Sequence, residues 1–141
     1  MNISKFTQKS VQAVQDLEKV AYEYGNQEVE QEHLLYALLT QEDSLILKLI
    51  EKMDINKEYF INVVKKALDA KVKVSGGDLR FGQYLNKSLV NAENEAKAMG
   101  DEYVSVEHLF LSLMKYPNTE IKKLFQAYGI TSCLLYTSDA A

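Results

Sequence analysis

Cysteine, proline and glycine are scarce in this chain, tryptophan is missing altogether, and each shortage closes a class of protein. A single cysteine among 141 residues, Cys133, forms no internal disulfide. With only His33 and His108 as imidazoles, it gathers no metal-ligand cluster either. One proline and six glycines supply too few turns for an all-β fold. No apolar run approaches the roughly 18–20 residues that span a bilayer. The opening "MNISKFTQKS" has no apolar stretch of the signal-peptide kind. The expectation is therefore a cytoplasmic location with no membrane partner. Positive charge is also in deficit. The net charge is −4, and the lysines are scattered among acids instead of forming a stripe, which argues against nucleic acid as a partner.

What the chain does have is helical periodicity almost throughout, so the expected fold class is all-α. At 47% hydrophobic and 26% charged, it suits one globular unit large enough to bury a core. Val11, Val14, Leu17, Ala21 and Tyr24 recur at steps of three and four and put one apolar stripe on a helix from Thr7 to Tyr24. Thr7 is its natural N-cap and Gly25 its natural stop. A second helix is expected from about Gln31 to Thr40. A third carries Leu45, Ile46, Leu49, Ile50 and Met53. A fourth opens after Asn56 and carries Phe60, Val63, Val64, Ala67 and Leu68. The Tyr22, Tyr24, Tyr36 and Tyr59 rings sit on or beside these stripes, so most of the nine tyrosines are expected to be core or half-buried.

The chain then repeats itself. Shifted by 75 residues, Phe6 falls on Phe81, Gln8 on Gln83, Glu18 on Glu93, Ala21 on Ala96, Gly25 on Gly100 and Val29 on Val104. Glu32-His33-Leu34 falls on Glu107-His108-Leu109, Leu38 on Leu113, Ile46 on Ile121, Lys48-Leu49 on Lys123-Leu124, and Ile55 on Ile130. No gap is needed over about fifty residues, which marks an internal duplication. Two tandem four-helix repeats follow, over 1–70 and 81–130. A connector over 71–80 joins them and turns at Gly76-Gly77. Two such units pack naturally around a pseudo-two-fold axis with a shallow groove between them.

"GNQEVEQEHLLYALL" in the first half, the Gly-Gly connector, and "GDEYVSVEHLFLSLM" in the second resemble the N-terminal domain of the Clp chaperones, most closely its ClpB branch. The resemblance covers residues 1–130. It implies a duplicated eight-helix, non-catalytic module that captures exposed apolar segments of unfolded or aggregated proteins. These it hands to an ATP-driven threading pore, formed by ATPase domains of the same longer chain. Folded adaptor proteins, as in the ClpC and ClpA branches, are the alternative partner. No cofactor is implied. No segment here offers the Gly-rich loop ending in Gly-Lys-Ser/Thr that holds nucleotide phosphates. An independent helical enzyme is the third class, but no nucleophile beside a base, metal cluster or paired-carboxylate site supports it.

By the same resemblance three polar residues at the groove edge, Thr7, Asp101 and Glu107, assist substrate handling. Each also has a structural reading. Thr7 caps a helix, Asp101 belongs to a turn after Gly100, and Glu107 answers the positive end of a helix that Ser105 caps. Its twin Glu32 has the same place in the first half. His33 and His108 are explained by the duplication, as structural residues at the helix-opening position of each repeat.

The end of the chain departs from the family. After Ile130 the first repeat leads one to expect a helix like "NKEYFINVVKKAL", whereas the sequence reads "TSCLLYTSDAA". Residues 131–141 read as a foreign, frameshifted or adapter-derived tail. The eighth helix, which would close the second repeat, is in doubt.

Overall fold

The structure, a computed structural model, describes residues 3–130 apart from Ser75. The tail 131–141, and with it the place of an eighth helix and Cys133, lies outside the described residues. Seven α-helices carry the described chain. After a single 3-10 turn at Ile3–Lys5, α1 runs Gln8–Glu23, and the short strand β1 spans Glu28–Val29. Next come α2 at Gln31–Leu39, α3 at Leu45–Lys52 and α4 at Lys57–Asp69. The second half opens with β2 at Arg80–Phe81 and continues with α5 at Gln83–Ala98, α6 at Val106–Lys115 and α7 at Thr119–Tyr128.

Helix starts fall where capping chemistry puts them. Thr7, Ser44, Asn56 and Asn118 each accept a first-turn amide of α1, α3, α4 and α7 with a side-chain oxygen. Gly25 and Gly100 end α1 and α5 in the left-handed region, at φ +70° and +74°. The amides that follow them fold back in the same way: Asn26 N–H donates to Ala21 O at 2.9 Å and Asp101 N–H to Ala96 O at 2.8 Å.

The two-fold relation between halves is written in the backbone pairing. β1 and β2 pair in parallel with Val29 opposite Phe81, and an isolated parallel bridge joins Phe6 to Val104. Adding 75 to Phe6 and Val29 gives Phe81 and Val104, so these two pairings are one contact exchanged between halves. Thr7 N–H donates to Val104 O at 3.0 Å, and its twin Gly82 N–H donates to Val29 O at 2.8 Å. Two-residue strands have no readable periodicity, and the sequence did not disclose them.

The core lies between the two middle helices. α2 buries every residue but Tyr36, and α6 buries Val106 and the run from His108 to Leu113. α1 and α5 cover α2 and α6 in turn, while α2 and α6 meet each other across the axis. Leu34, Leu38, Leu109 and Leu113 are fully buried twins. Each is worth roughly 1.5–3 kcal/mol of burial.

The tyrosines correct the expectation made for them. None of the eight described is buried, and Tyr22 and Tyr59 are 81% and 62% exposed. Tyr22 follows Ala21 and so turns off the apolar stripe of α1. Tyr24, Tyr36 and Tyr128 are half-buried.

Candidate functional site

The site is built from the helix-opening triplet and its surroundings. In the second half, Ser105 is the N-cap of α6 and His108 the N3 residue. Ser105 N–H donates to His108 Nδ1 at 2.9 Å. A backbone amide can only donate, so Nδ1 accepts, and the neutral ring carries its proton on Nε2. That nitrogen lies 2.8 Å from Asp101 Oδ2 and donates to it. The first half repeats the device: Glu30 N–H donates to His33 Nδ1 at 2.9 Å, and His33 Nε2 donates to Asn26 Oδ1 at 3.0 Å. Asn26 and Asp101 are twins at the 75-residue offset. Both histidines therefore complete helix caps, and Asp101 orients one of them.

Of the three edge residues, Thr7 caps α1 through Oγ1, which accepts Ser10 N–H at 3.3 Å. Its own amide reaches Val104, which lies between Asp101 and Glu107 in the chain. The Phe6–Val104 bridge thus brings residue 7 alongside the 101–107 segment. Asp101 keeps its side chain 48% exposed. Glu107, the second residue of α6, is half-buried and engaged.

A groove of about 630 Å3 lies between halves, at α4 and α7. Tyr59, Val63 and Ala67 form one wall, and Leu124, Ala127 and Tyr128 the other. Glu32 lines it, along with Glu120 and Lys123 at its edge. None of the three predicted residues lines this groove; the twin of Glu107 does. Tyr128 packs edge-on against Phe60 at 5.2 Å and Tyr59 at 6.4 Å, joining the walls at one end.

Glu32 is 4% exposed and fully partnered. Oε2 meets Lys71 Nζ at 2.7 Å, and Oε1 accepts Asn118 Nδ2 at 2.8 Å. Lys71 also meets Glu30 at 2.7 Å. Burial works against its charge, but the two carboxylates outweigh burial and raise its pKa. Beside this pair Gln31, fully buried, donates to Ser88 Oγ at 2.7 Å and to Tyr116 O at 2.9 Å, and accepts Asn118 N–H at 2.7 Å. Sequence reasoning missed this polar tie. A signal existed, because the twin of Gln31 is the apolar Val106.

Burial, and then the Lys71 ammonium, push the pKa of His33 down to about 4. Among the described residues no three His, Cys, Asp or Glu side chains gather as a metal site.

The family of these residues is open to direct comparison. The family described as "Clp repeat (R) N-terminal domain" matches residues 5–128. This chain belongs to the Clp N-terminal domain family. Chaperone protein ClpB of Nitratidesulfovibrio vulgaris is 39% identical over 126 residues, which are 86% of this chain and 15% of that relative. The Clp N-domain here thus spans about a seventh of such a ClpB-like chaperone, and the chain contains no ATPase domain. Among solved structures, the Hsp104 N-terminal domain from Candida albicans superposes with a TM-score of 0.81 at 20% identity, over 94% of this chain and 87% of that one. A complex of the ClpV N-domain with a VipB peptide superposes with a TM-score of 0.69 at 19% identity, over 88% and 79%. At these identities the likeness establishes a shared Clp N-domain fold.

Proposed function

We propose that this Clp N-domain captures exposed apolar segments of unfolded or aggregated proteins, in the cytoplasm, for ATPase domains that follow it in a longer ClpB-like chain. The observation that carries the reading is the half-buried apolar groove between α4 and α7, whose two walls come from different repeats. Its lining offers contact area to an aliphatic or aromatic side chain without a deep pocket, which suits many sequences over one. Thr7, Asp101 and Glu107 form a polar edge elsewhere on the interface between halves, where they handle the same chains. The domain does no chemistry of its own. Tethered to a threading pore, it raises the local concentration of substrate there.

Docking of a defined adaptor is the second reading, and one observation favours it: a ClpV N-domain of the same fold holds a single named peptide. Fluorescence anisotropy with a labelled, permanently unfolded apolar polypeptide distinguishes the two. The Ala67→Glu plus Ala127→Glu double variant lines the groove with charge at helix positions that tolerate glutamate. It is expected to bind at least about tenfold more weakly, a loss of about 1.4 kcal/mol. Unchanged binding would remove the groove from the account, and no binding by the parent would favour a folded adaptor.

A further inference from the structure

The connector is strapped to the first half by several contacts, and one buried imidazole sets two of the groups that make them. Lys71 Nζ meets Glu30 and Glu32, Asn26 Nδ2 donates to Val72 O at 3.1 Å, and Lys73 Nζ donates to Tyr24 O at 2.6 Å. Val74 N–H donates to Gly25 O at 2.8 Å. Two of these holding groups are set by His33, which is fully buried. Its Nδ1 accepts the amide of Glu30, which holds Lys71, and its Nε2 orients Asn26, which holds Val72. Only the neutral ring can do both. A proton on Nδ1 would turn it into a second donor facing the Glu30 N–H, and the cap would open.

We infer that neutral His33 is an acid-sensitive latch on the connector: proton uptake at Nδ1 frees residues 71–74 from the first half. The charges facing the ring agree with this. The Lys71 and Lys73 ammonium groups of the connector oppose a cationic imidazole, and the Glu32 carboxylate of α2, which favours one, is already held by Lys71 and Asn118. The twin His108 serves as an internal control. It has the same cap on Ser105, but its partner Asp101 is a carboxylate, which has no N–H to pass on to a connector carbonyl as Asn26 does. The latch stands apart from the groove reading and survives its failure.

The test is an NMR titration of the full chain from pH 7.5 to 3.5, following the His33 ring signals together with the Glu30 and Val74 amides and their hydrogen exchange. The Glu30 and Val74 amides are expected to move with the His33 ring, near pH 4. Val74 should lose at least about tenfold of its exchange protection on the acid side. Carboxylates titrate in the same range, so two variants separate the causes. Lys71→Gln removes the facing ammonium while keeping a donor for Glu30 and Glu32, and should move the ring and connector midpoints to higher pH together. In His33→Gln, which does not titrate, the Val74 transition should vanish. Retained protection of Val74 with the His33 ring protonated would overturn the latch. So would a connector midpoint that stays put in Lys71→Gln, an outcome readable even where His33→Gln fails to fold.

Discussion

Single residues in this domain act through backbone amides and caps more than through their own bulk. Thr7→Ala removes the α1 cap and is expected to cost about 1 kcal/mol, read as a lower denaturant midpoint. If that loss leaves polypeptide binding intact, Thr7 is a cap and nothing more. Gly100 tests the backbone alone. A methyl group added there meets nothing within 4 Å, so Gly100→Ala has only its φ of +74° to oppose it. The expected cost is about 1 kcal/mol, visible in the same measurement. His33 gives stability a pH dependence of definite sign. Its folded pKa, about 4, lies below the unfolded value of 6.5, so between these limits the unfolded chain binds the extra proton. The contribution is complete above pH 6.5 and is lost as the pH falls towards 4, by at most about 1.4 kcal/mol per pH unit. Urea midpoints at pH 7 and pH 5 should show the fall in the parent and much less of it in His33→Gln.

At the scale of elements, the duplication made most of the architecture legible. Glycine stops at 25 and 100, the caps at Thr7, Asn56 and Ser105, and the apolar stripes of α1 to α4 all stand where periodicity and capping chemistry put them. What stayed hidden depends on contacts across the axis, which no local window contains. The Phe6–Val104 and Val29–Phe81 pairings are too short to leave a pattern. The groove forms because α4 of one repeat meets α7 of the other, a pairing that follows from the symmetry only once the axis has been located. Thr7, Asp101 and Glu107 were legible as residues, but none of them lines this groove. The buried tie at Gln31 belongs to this scale as well. Gln31→Leu would strand the Asn118 amide and take the Gln31 donor from Tyr116 O beside the Glu32–Lys71 pair, while Ser88 keeps its bond to Tyr84 O. It is expected to destabilise by about 1–3 kcal/mol, against near-neutrality if water replaces the lost partners. Thermal melting of the two proteins decides between these.

For the molecule as a whole, the family model over residues 5–128 and the superposition on solved N-domains establish family and fold. The same fold occurs in the Hsp104 and ClpV N-domains, and a fold does not by itself specify a ligand. The groove between repeats is where the account can be tested most directly. A permanently unfolded polypeptide with apolar stretches, titrated into the isotopically labelled domain, should shift amides of α4 and α7 around Val63, Ala67, Leu124 and Ala127, with smaller effects near Thr7, Asp101 and Glu107. The Ala67→Glu plus Ala127→Glu variant should lose the groove shifts while keeping its folded spectrum. An unfolded polypeptide that moves no amide at high concentration, or that binds on a face away from both surfaces, would contradict the capture of unfolded segments at this groove.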